Sequence, residues 1–198
     1  MRNKTWKYLV VTSAIFVLSA CGGGTKKQVN EDVSMDSVNG VCNGLKTLQL
    51  DEVKVIWIQD NAKKRLMERT LFADAEDSLI ESLKLQGGIP SSMSAFLVET
   101  GGIRILFDTG MGAPDSRLLS GLASLGITPS DIKYLYLTHF HGDHIGGMMK
   151  GDSVVFPDAE VYASKVEYDA WLKMPADRNA QVVKTMNAYK DRLHLFEF

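Results

Sequence analysis

The stretch THFHGDHIGG, residues 138–147, decides how this chain is interpreted. The chain has four histidines, and three of them lie within six residues here, with an aspartate among them. Imidazole and carboxylate groups are the usual ligands of zinc and similar metal ions. A polar loop with surface histidines is the alternative, but histidines spaced this densely favour a metal site.

The residues before this stretch explain how its side chains meet. Residues 134–138 have the composition of a short buried strand. Residues two apart in an extended backbone point the same way, so His139 and His141 are predicted to lie side by side at the strand end. The glycine that follows permits a sharp turn. Asp143 and His144 are then expected to face the same cavity from the other side of that turn.

A second informative segment lies about thirty residues earlier. Residues 94–100 and 103–107 are predicted strands, and Gly101-Gly102 between them favours a tight hairpin, because such turns need positive φ. The returning strand runs into Asp108-Thr109-Gly110. Taken alone, Asp108 fits a residue that caps a turn. About thirty residues ahead of a histidine cluster, a carboxylate that orients metal ligands is the favoured interpretation.

Together the two segments resemble the metallo-β-lactamase superfamily, whose signature is H-x-H-x-D-H after an apolar strand, preceded by D-T-G after a hairpin. The resemblance implies an α/β fold, the αββα sandwich, with metals at one edge of its two sheets. It covers residues ~50–198. These would supply the N-terminal half to two-thirds of that fold.

The resemblance also implies roles for individual residues. His139 and His141 would bind a first metal ion, and Asp143 and His144 a second. Asp143 would be catalytic as well, because it would orient the attacking hydroxide. Asp108 would lie beneath the metal loop and orient it without binding metal. The implied cofactor is Zn²⁺, two ions in a complete protein, with iron or manganese as alternatives.

Three further ligands that the resemblance requires are not recognisable in residues 1–198: a third histidine, a bridging aspartate and a final histidine. The remaining histidine, His194, has a strand-like setting and is predicted to be structural. Two ligands per ion are fewer than the three that catalytic zinc usually has. We therefore expect an incomplete domain over residues 47–198, with weak metal binding, little turnover and one exposed core face.

The N-terminus is predicted to be a targeting segment. Residues 1–20 combine basic residues with an apolar stretch too short for an ordinary spanning helix, and Leu18-Ser19-Ala20-Cys21 resembles a bacterial lipoprotein cleavage box. Cys21 would then carry lipid, and residues 21–46 would form a flexible tether. Gly22 favours the outer membrane, facing the periplasm. A plain signal peptide or a single anchor helix is the alternative, and Cys42 is expected to be a buried thiol.

Hydrophobic periodicity predicts the remaining elements. Strands are expected at residues 53–58, 154–157, 160–163 and 193–198, and helices at 75–85, 117–125, 165–173 and 177–192. Ser116 and Ser164 are predicted to cap two of these helices, with Val166, Ala170 and Trp171 facing inward. The helix at 177–192 is a candidate lid.

These observations predict a di-zinc hydrolase acting on an ester, lactone, amide or phosphoester, a small-molecule substrate. The run of the hairpin and of the later helices resembles the lactonase and organophosphate-hydrolase branch. The net charge is −2 and no basic run is longer than three residues, which argues against nucleic acid as a partner. An iron oxidoreductase of the same fold, or a truncated non-catalytic metal-binding lipoprotein, are the alternatives. The sequence leaves substrate and oligomeric state open.

Overall fold

The computed structural model describes residues 44–197. The predicted signal peptide, Cys21, Cys42 and most of the predicted tether lie outside the described residues. Within residues 44–197, no helix combines the length and apolar character needed to cross a membrane.

Eleven strands are present in the described part of the chain. They are β1 Leu45–Leu50, β2 Val53–Gln59, β3 Arg65–Met67, β4 Ile89–Ser91, β5 Ser94–Thr100, β6 Ile103–Phe107, β7 Tyr134–Tyr136, β8 Met149–Lys150, β9 Ser153–Val154, β10 Glu160–Ser164 and β11 Leu193–Phe196. Seven form one sheet in the order β1-β2-β5-β6-β7-β10-β11. The first four are antiparallel neighbours, and β6, β7, β10 and β11 are parallel.

The α-helices of residues 44–197 are α1 Asp77–Ser82, α2 Leu118–Ser124, α3 Gly142–Ile145, α4 Lys165–Leu172 and α5 Ala176–Ala188. Short 3₁₀ turns occur at Arg69–Phe72, Pro129–Asp131, Gly146–Met148 and Lys190–Arg192. Buried residues of α2 and α5, such as Leu122 and Met186, join one face of the sheet in a single hydrophobic core. The parallel strands connected through helices on this face form the α/β unit that the sequence predicted.

The two faces of the sheet differ in exposure because strand residues alternate in direction. Ile56, Leu97 and Leu135 point into the core and are fully buried. On the opposite face, aromatic rings stack across neighbouring strands, with centroids 5.5 Å apart for Phe107 and Tyr136 and 4.8 Å apart for Tyr136 and Tyr162. These rings remain partly exposed. The sheet therefore has one covered face and one open aromatic face.

Several predicted elements differ from the structure. β1 begins at Leu45, two residues before the predicted start of the domain. α1 is shorter than the predicted helix 75–85, and β3, which pairs with β4, was not among the predicted strands. On α4, Val166 is 73% exposed and Ala170 is also exposed, so these two predicted inward positions were wrong. Trp171, the third predicted inward residue, packs against the core as expected, together with Tyr168.

Ser116 was wrongly predicted to cap α2. The helix start is instead held by Asp60, a residue far away in the sequence. Asp60 follows β2 and is 1% exposed. Its carboxylate accepts hydrogen bonds from the backbone N–H groups of Met111, Arg117 and Leu118, at 2.9, 3.1 and 3.1 Å. The Ser116 hydroxyl donates to the same carboxylate rather than capping the helix. Asp60 thus anchors the loop 108–117 that borders the histidine cluster.

We expect Asp60→Asn to lower the free energy of unfolding by about 1–3 kcal/mol. The amide keeps one acceptor oxygen, but its NH₂ group faces N–H donors that it cannot satisfy. Urea denaturation measures the loss. The control is Asp115→Asn, which removes the same charge from an exposed position of the same loop. Equal stability of the two variants would contradict the anchoring role of Asp60.

Candidate metal centre

The histidine cluster lies where the short strand β7 gives way to α3. β7 ends at Tyr136, the chain bends at Thr138, and His141 has extended backbone angles, with φ −64° and ψ 152°. Phe140, between the first two histidines, is 1% exposed and points into the core. His139 is half-buried and His141 exposed, so both rings lie away from the core, and they come within hydrogen-bond distance of each other. α3 then turns His144 back towards them, and the ring centroids of His139 and His144 are 3.8 Å apart.

The first predicted ligand pair has a separation that suits a single ion. His139 Nε2 lies 3.0 Å from His141 Nδ1. Two nitrogens bound at about 2.0–2.1 Å to a tetrahedral zinc ion lie roughly 3.4 Å apart. Opening the observed pair by a few tenths of an ångström would satisfy that requirement, so the two imidazoles fit a shared metal ion.

Asp108 organises the cluster from below. It is 6% exposed, and its carboxylate accepts the backbone N–H of Thr138 at 2.9 Å and the Thr138 hydroxyl at 2.8 Å. His144 Nδ1 lies 2.8 Å from the same carboxylate, and His139 Nδ1 lies 3.0 Å from Thr138 Oγ1. Because the hydroxyl donates its proton to Asp108, it accepts from His139. The carboxylate thus holds one histidine directly and another through Thr138.

These hydrogen bonds determine which ring nitrogens are available. With Nδ1 of His139 and His144 donating, each Nε2 carries the lone pair that a metal ligand needs. His144 Nε2 lies 3.8 Å from Asp143 Oδ1, and these are the atoms of the second predicted pair. The donors present, three imidazoles and a carboxylate, are chemically suited to zinc or another divalent ion.

The electrostatic setting favours the ligand form of His139. Burial, followed by the neighbouring His144 and His141, holds the pKa of His139 below its usual value. Asp108 and Glu167 act in the opposite direction. The net result favours the neutral imidazole, the form that binds metal, near neutral pH.

Close backbone approach locks the metal loop onto the D-T-G segment. The Thr109 N–H and hydroxyl both donate to the carbonyl oxygen of His144, at 2.7 and 2.8 Å. A Cβ atom on Gly146 would lie 2.1 Å from the Met111 carbonyl oxygen, and one on Gly147 would lie 2.1 Å from that of Thr109. Only glycine permits these approaches, which accounts for the glycine pair after the histidines.

The structure brings all five predicted site residues together: His139, His141, Asp143, His144 and Asp108. As the side chains stand in residues 44–197, no three His, Cys, Asp or Glu groups form a set that could hold one metal ion. The closest approaches between predicted ligand atoms are those of the two pairs described above, and the three imidazole rings contact one another. The metal-binding and catalytic roles stay predictions.

Three residues near the site were not identified from the sequence. Thr138 links Asp108 to His139, Asp60 anchors the bordering loop, and Glu167 on α4 accepts the Phe140 N–H at 3.2 Å. Thr138 had one available signal, its position directly before the first histidine. Asp60 and Glu167 had none, since their partners lie far away in the sequence.

Two further predictions concern residues around the cluster. His194 lies outside it, on β11, where Nε2 is 2.6 Å from a Glu160 carboxylate oxygen and the ring stacks on Tyr162.

α5 places Gln181 over Gly142. Other residues of α5, including Val182, are part of the core. α5 is therefore part of the core while it also borders the histidine cluster, and its role as a lid stays a prediction.

Known proteins resemble this chain in the sequence around the histidine cluster and in fold. Residues 88–169 match the sequence profile of the Metallo-beta-lactamase superfamily. The lactamase-like protein nscB of Aspergillus fumigatus is 42% identical over 73 residues, which make up 33% of this chain and 21% of that protein. The lactamase-like protein aptB of Emericella nidulans is 44% identical over 66 residues, 33% of this chain and 19% of that protein. The chain thus matches about a fifth of the length of these curated relatives.

Solved structures share the architecture over a longer span. The hydrolase AbOPH of the beta-lactamase superfamily is 28% identical, with a TM-score of 0.65, over 77% of this chain and 60% of that one. AidC, described as a dizinc quorum-quenching lactonase, is 24% identical, with a TM-score of 0.65, over 78% of this chain and 61% of that one. The described part of this chain therefore has the metallo-β-lactamase fold, and the segment matching the superfamily profile contains both Asp108 and the histidine cluster.

Proposed function

We propose that this protein is a metal-dependent hydrolase whose metal ions are held by the side chains of residues 139–144. The observation that carries the proposal is the hydrogen-bond network of Asp108. It fixes His144 directly and His139 through Thr138, and it leaves the Nε2 atoms of both rings available as ligands. A cluster of surface histidines has no need of a buried carboxylate that sets two ring orientations.

In this proposal, His139 and His141 hold one ion, and Asp143 and His144 contribute to a second. When bound, such ions would supply Lewis acidity, which brings the pKa of a bound water to roughly 7. The Asp143 side chain is 36% exposed, so it reaches solvent beside the histidines. Its carboxylate accepts a hydrogen bond from the attacking water and orients it. No serine or cysteine nucleophile is required.

Zinc is the favoured ion, since imidazole and carboxylate ligands suit it, with iron or manganese next. The substrate class is a small ester, lactone, amide or phosphoester, and the 28% identity to a hydrolase supports hydrolysis. Each ion receives two ligands from this cluster, one fewer than catalytic zinc usually has. We therefore expect weak metal binding and slow turnover from the 198-residue chain.

Metal analysis and an activity panel test the proposal together. The purified chain is analysed for zinc, iron and manganese, and is then assayed with aryl esters, lactones, amides and phosphotriesters before and after chelation. Hydrolysis that disappears with the chelator and returns with zinc is the expected result. Iron with redox activity would favour the oxidoreductase alternative. Metal binding without turnover of any substrate would favour the non-catalytic alternative.

We further propose that the protein is attached to the bacterial cell envelope through lipid on Cys21, with the domain facing the periplasm. The supporting observation is the lipoprotein-like box Leu18-Ser19-Ala20-Cys21 after a basic and apolar segment. Stable attachment needs more than one acyl chain, because each buried methylene contributes only about 0.8 kcal/mol.

Cys21→Ser is expected to move the protein from the membrane fraction to the soluble fraction, because serine offers no thiol for acylation. Fractionation and immunoblotting of cells measure the distribution. The control is Cys42→Ser, which removes the other cysteine and should leave the protein on the membrane. A Cys21→Ser variant that remains in the membrane fraction would contradict lipidation at this residue.

A further inference from the structure

We infer that Glu167 is a positioning residue that fixes the backbone between His139 and His141 and so sets the spacing of the first ligand pair. This inference rests on the proposed metal site. Glu167 lies in the first turn of α4, whose N-terminus is capped by the Ser164 hydroxyl accepting the Glu167 N–H at 3.5 Å. From this first turn, the Glu167 side chain reaches the backbone of Phe140, between the first two histidines.

One oxygen of Glu167 ties two groups together. Oε1 accepts the backbone N–H of Phe140 at 3.2 Å and the indole N–H of Trp171 at 2.8 Å. The Phe140 N–H belongs to the peptide unit that joins it to His139. Holding this N–H therefore sets the plane of that peptide and the direction in which the chain leaves His139. A carboxylate acceptor makes such bonds shorter and about twice as strong as a neutral one.

The same helix also holds Phe140 and His141 through their side chains. The Phe140 ring is buried and lies 6.1 Å from the Tyr168 ring of α4, measured between centroids. The Trp171 ring meets the His141 ring edge-on at 5.8 Å. His141 is otherwise exposed. Glu167 thus controls both sides of the pair, the peptide after His139 and the indole beside His141.

Asp108 and Glu167 act on different parts of the cluster. Asp108 orients His139, through Thr138, and His144 from the D-T-G side. Glu167 acts from α4, on the backbone between the histidines and on the indole that contacts His141. Without Glu167, the rings directed by Asp108 would keep their orientation, but the 3.0 Å spacing of His139 and His141 would no longer be imposed.

The test compares Glu167→Ala and Glu167→Gln with Asp169→Ala, a control that removes a carboxylate of the same helix, one paired with Lys165. In the metal-free protein, amide hydrogen exchange of Phe140 and the NMR signals of the His141 ring are measured by ¹H–¹⁵N spectroscopy. Urea denaturation reports global stability. Zinc affinity is then measured by competition with a chromophoric chelator.

For Glu167→Ala, we expect Phe140 exchange to accelerate about tenfold or more, the His141 signals to shift, and zinc affinity to fall by about 10–100-fold, the usual effect of losing a partner of a metal ligand. Glu167→Gln should restore most of the protection and affinity, because its oxygen still accepts. Asp169→Ala should match the wild type in all three measurements.

The inference is overturned if Phe140 exchange and the His141 signals are unchanged in Glu167→Ala, or if they change only in step with global stability across the core. It is also overturned if they change while zinc affinity stays at the wild-type value. A wild-type protein that takes up no zinc would instead refute the proposed function. Phe140 exchange and the His141 signals would then still decide whether Glu167 fixes the loop.

Discussion

Replacing His139 and His141 together by alanine is expected to weaken zinc binding at least about 100-fold and to abolish any metal-dependent hydrolysis. Losing a residue that only hydrogen-bonds to a metal ligand lowers metal affinity about 10–100-fold, and this change removes two ligands themselves. His139 Nε2 and His141 Nδ1 are 3.0 Å apart, so the double change removes both predicted ligands of one ion. Both side chains point away from the core, and we expect little change in stability. Isothermal titration with zinc, supported by metal analysis, measures the effect.

The matched control is His194→Ala, which removes the histidine that lies outside the cluster, on β11. Its imidazole pairs with Glu160, so zinc binding should remain at the wild-type value. If the double variant kept the zinc stoichiometry and affinity of the wild type, the histidine cluster would not be the metal site. The hydrolase proposal would then lose its basis.

Asp108→Asn is expected to reduce zinc affinity by about 10–100-fold while leaving the fold intact. Asparagine tolerates the left-handed backbone of this position, where φ is +61°. Its amide is neutral, however, and has one acceptor oxygen. In the wild type, three donors share the two carboxylate oxygens: the N–H and hydroxyl of Thr138 and Nδ1 of His144. The orientation of His144 and, through Thr138, of His139 is therefore weakened. Mutating a residue that hydrogen-bonds to a metal ligand commonly lowers metal affinity by this factor.

Histidine side-chain NMR of the metal-free protein provides a second measurement for Asp108→Asn, since the Nδ1–H signals of the two rings should broaden or shift. Asp152→Asn serves as the control, because Asp152 pairs with Lys184 at the surface. Urea denaturation should show a loss of about 1–3 kcal/mol for Asp108→Asn. An Asp108→Asn protein with wild-type zinc affinity would show that the histidines need no orientation from this carboxylate.

The open aromatic face of the sheet has a physical consequence for the 198-residue chain. Rings on neighbouring strands, such as Phe107, Tyr136 and Tyr162, stack on one another yet remain partly exposed. Large exposed apolar faces are unusual in monomeric proteins and favour association. The exposed core face that the resemblance implies for an incomplete domain stays a prediction.

Local patterns were sufficient for much of the fold. Local composition and alternation predicted six of the seven strands of the large sheet, all except β1. The Gly101-Gly102 pair predicted a hairpin whose turn has φ values of +55° and +77°. The histidine spacing predicted that His139 and His141 would lie side by side, and they do. These predictions succeeded because each depends on neighbours within a few residues, where backbone geometry alone sets the direction of a side chain.

The sequence by itself thus determined most strands of the large sheet and the cluster of potential ligands, and the resemblance it carries implied the place of Asp108 beneath that cluster. Only the tertiary structure decided which residues hold the cluster in place. Asp60 reaches Ser116 across 56 positions, and Thr138 meets Asp108 across 30. Glu167 reaches Phe140 across 27. A single carboxylate carries no periodic signal, and its partners are chosen by how strands and helices pack, so such contacts become visible only once the chain has folded.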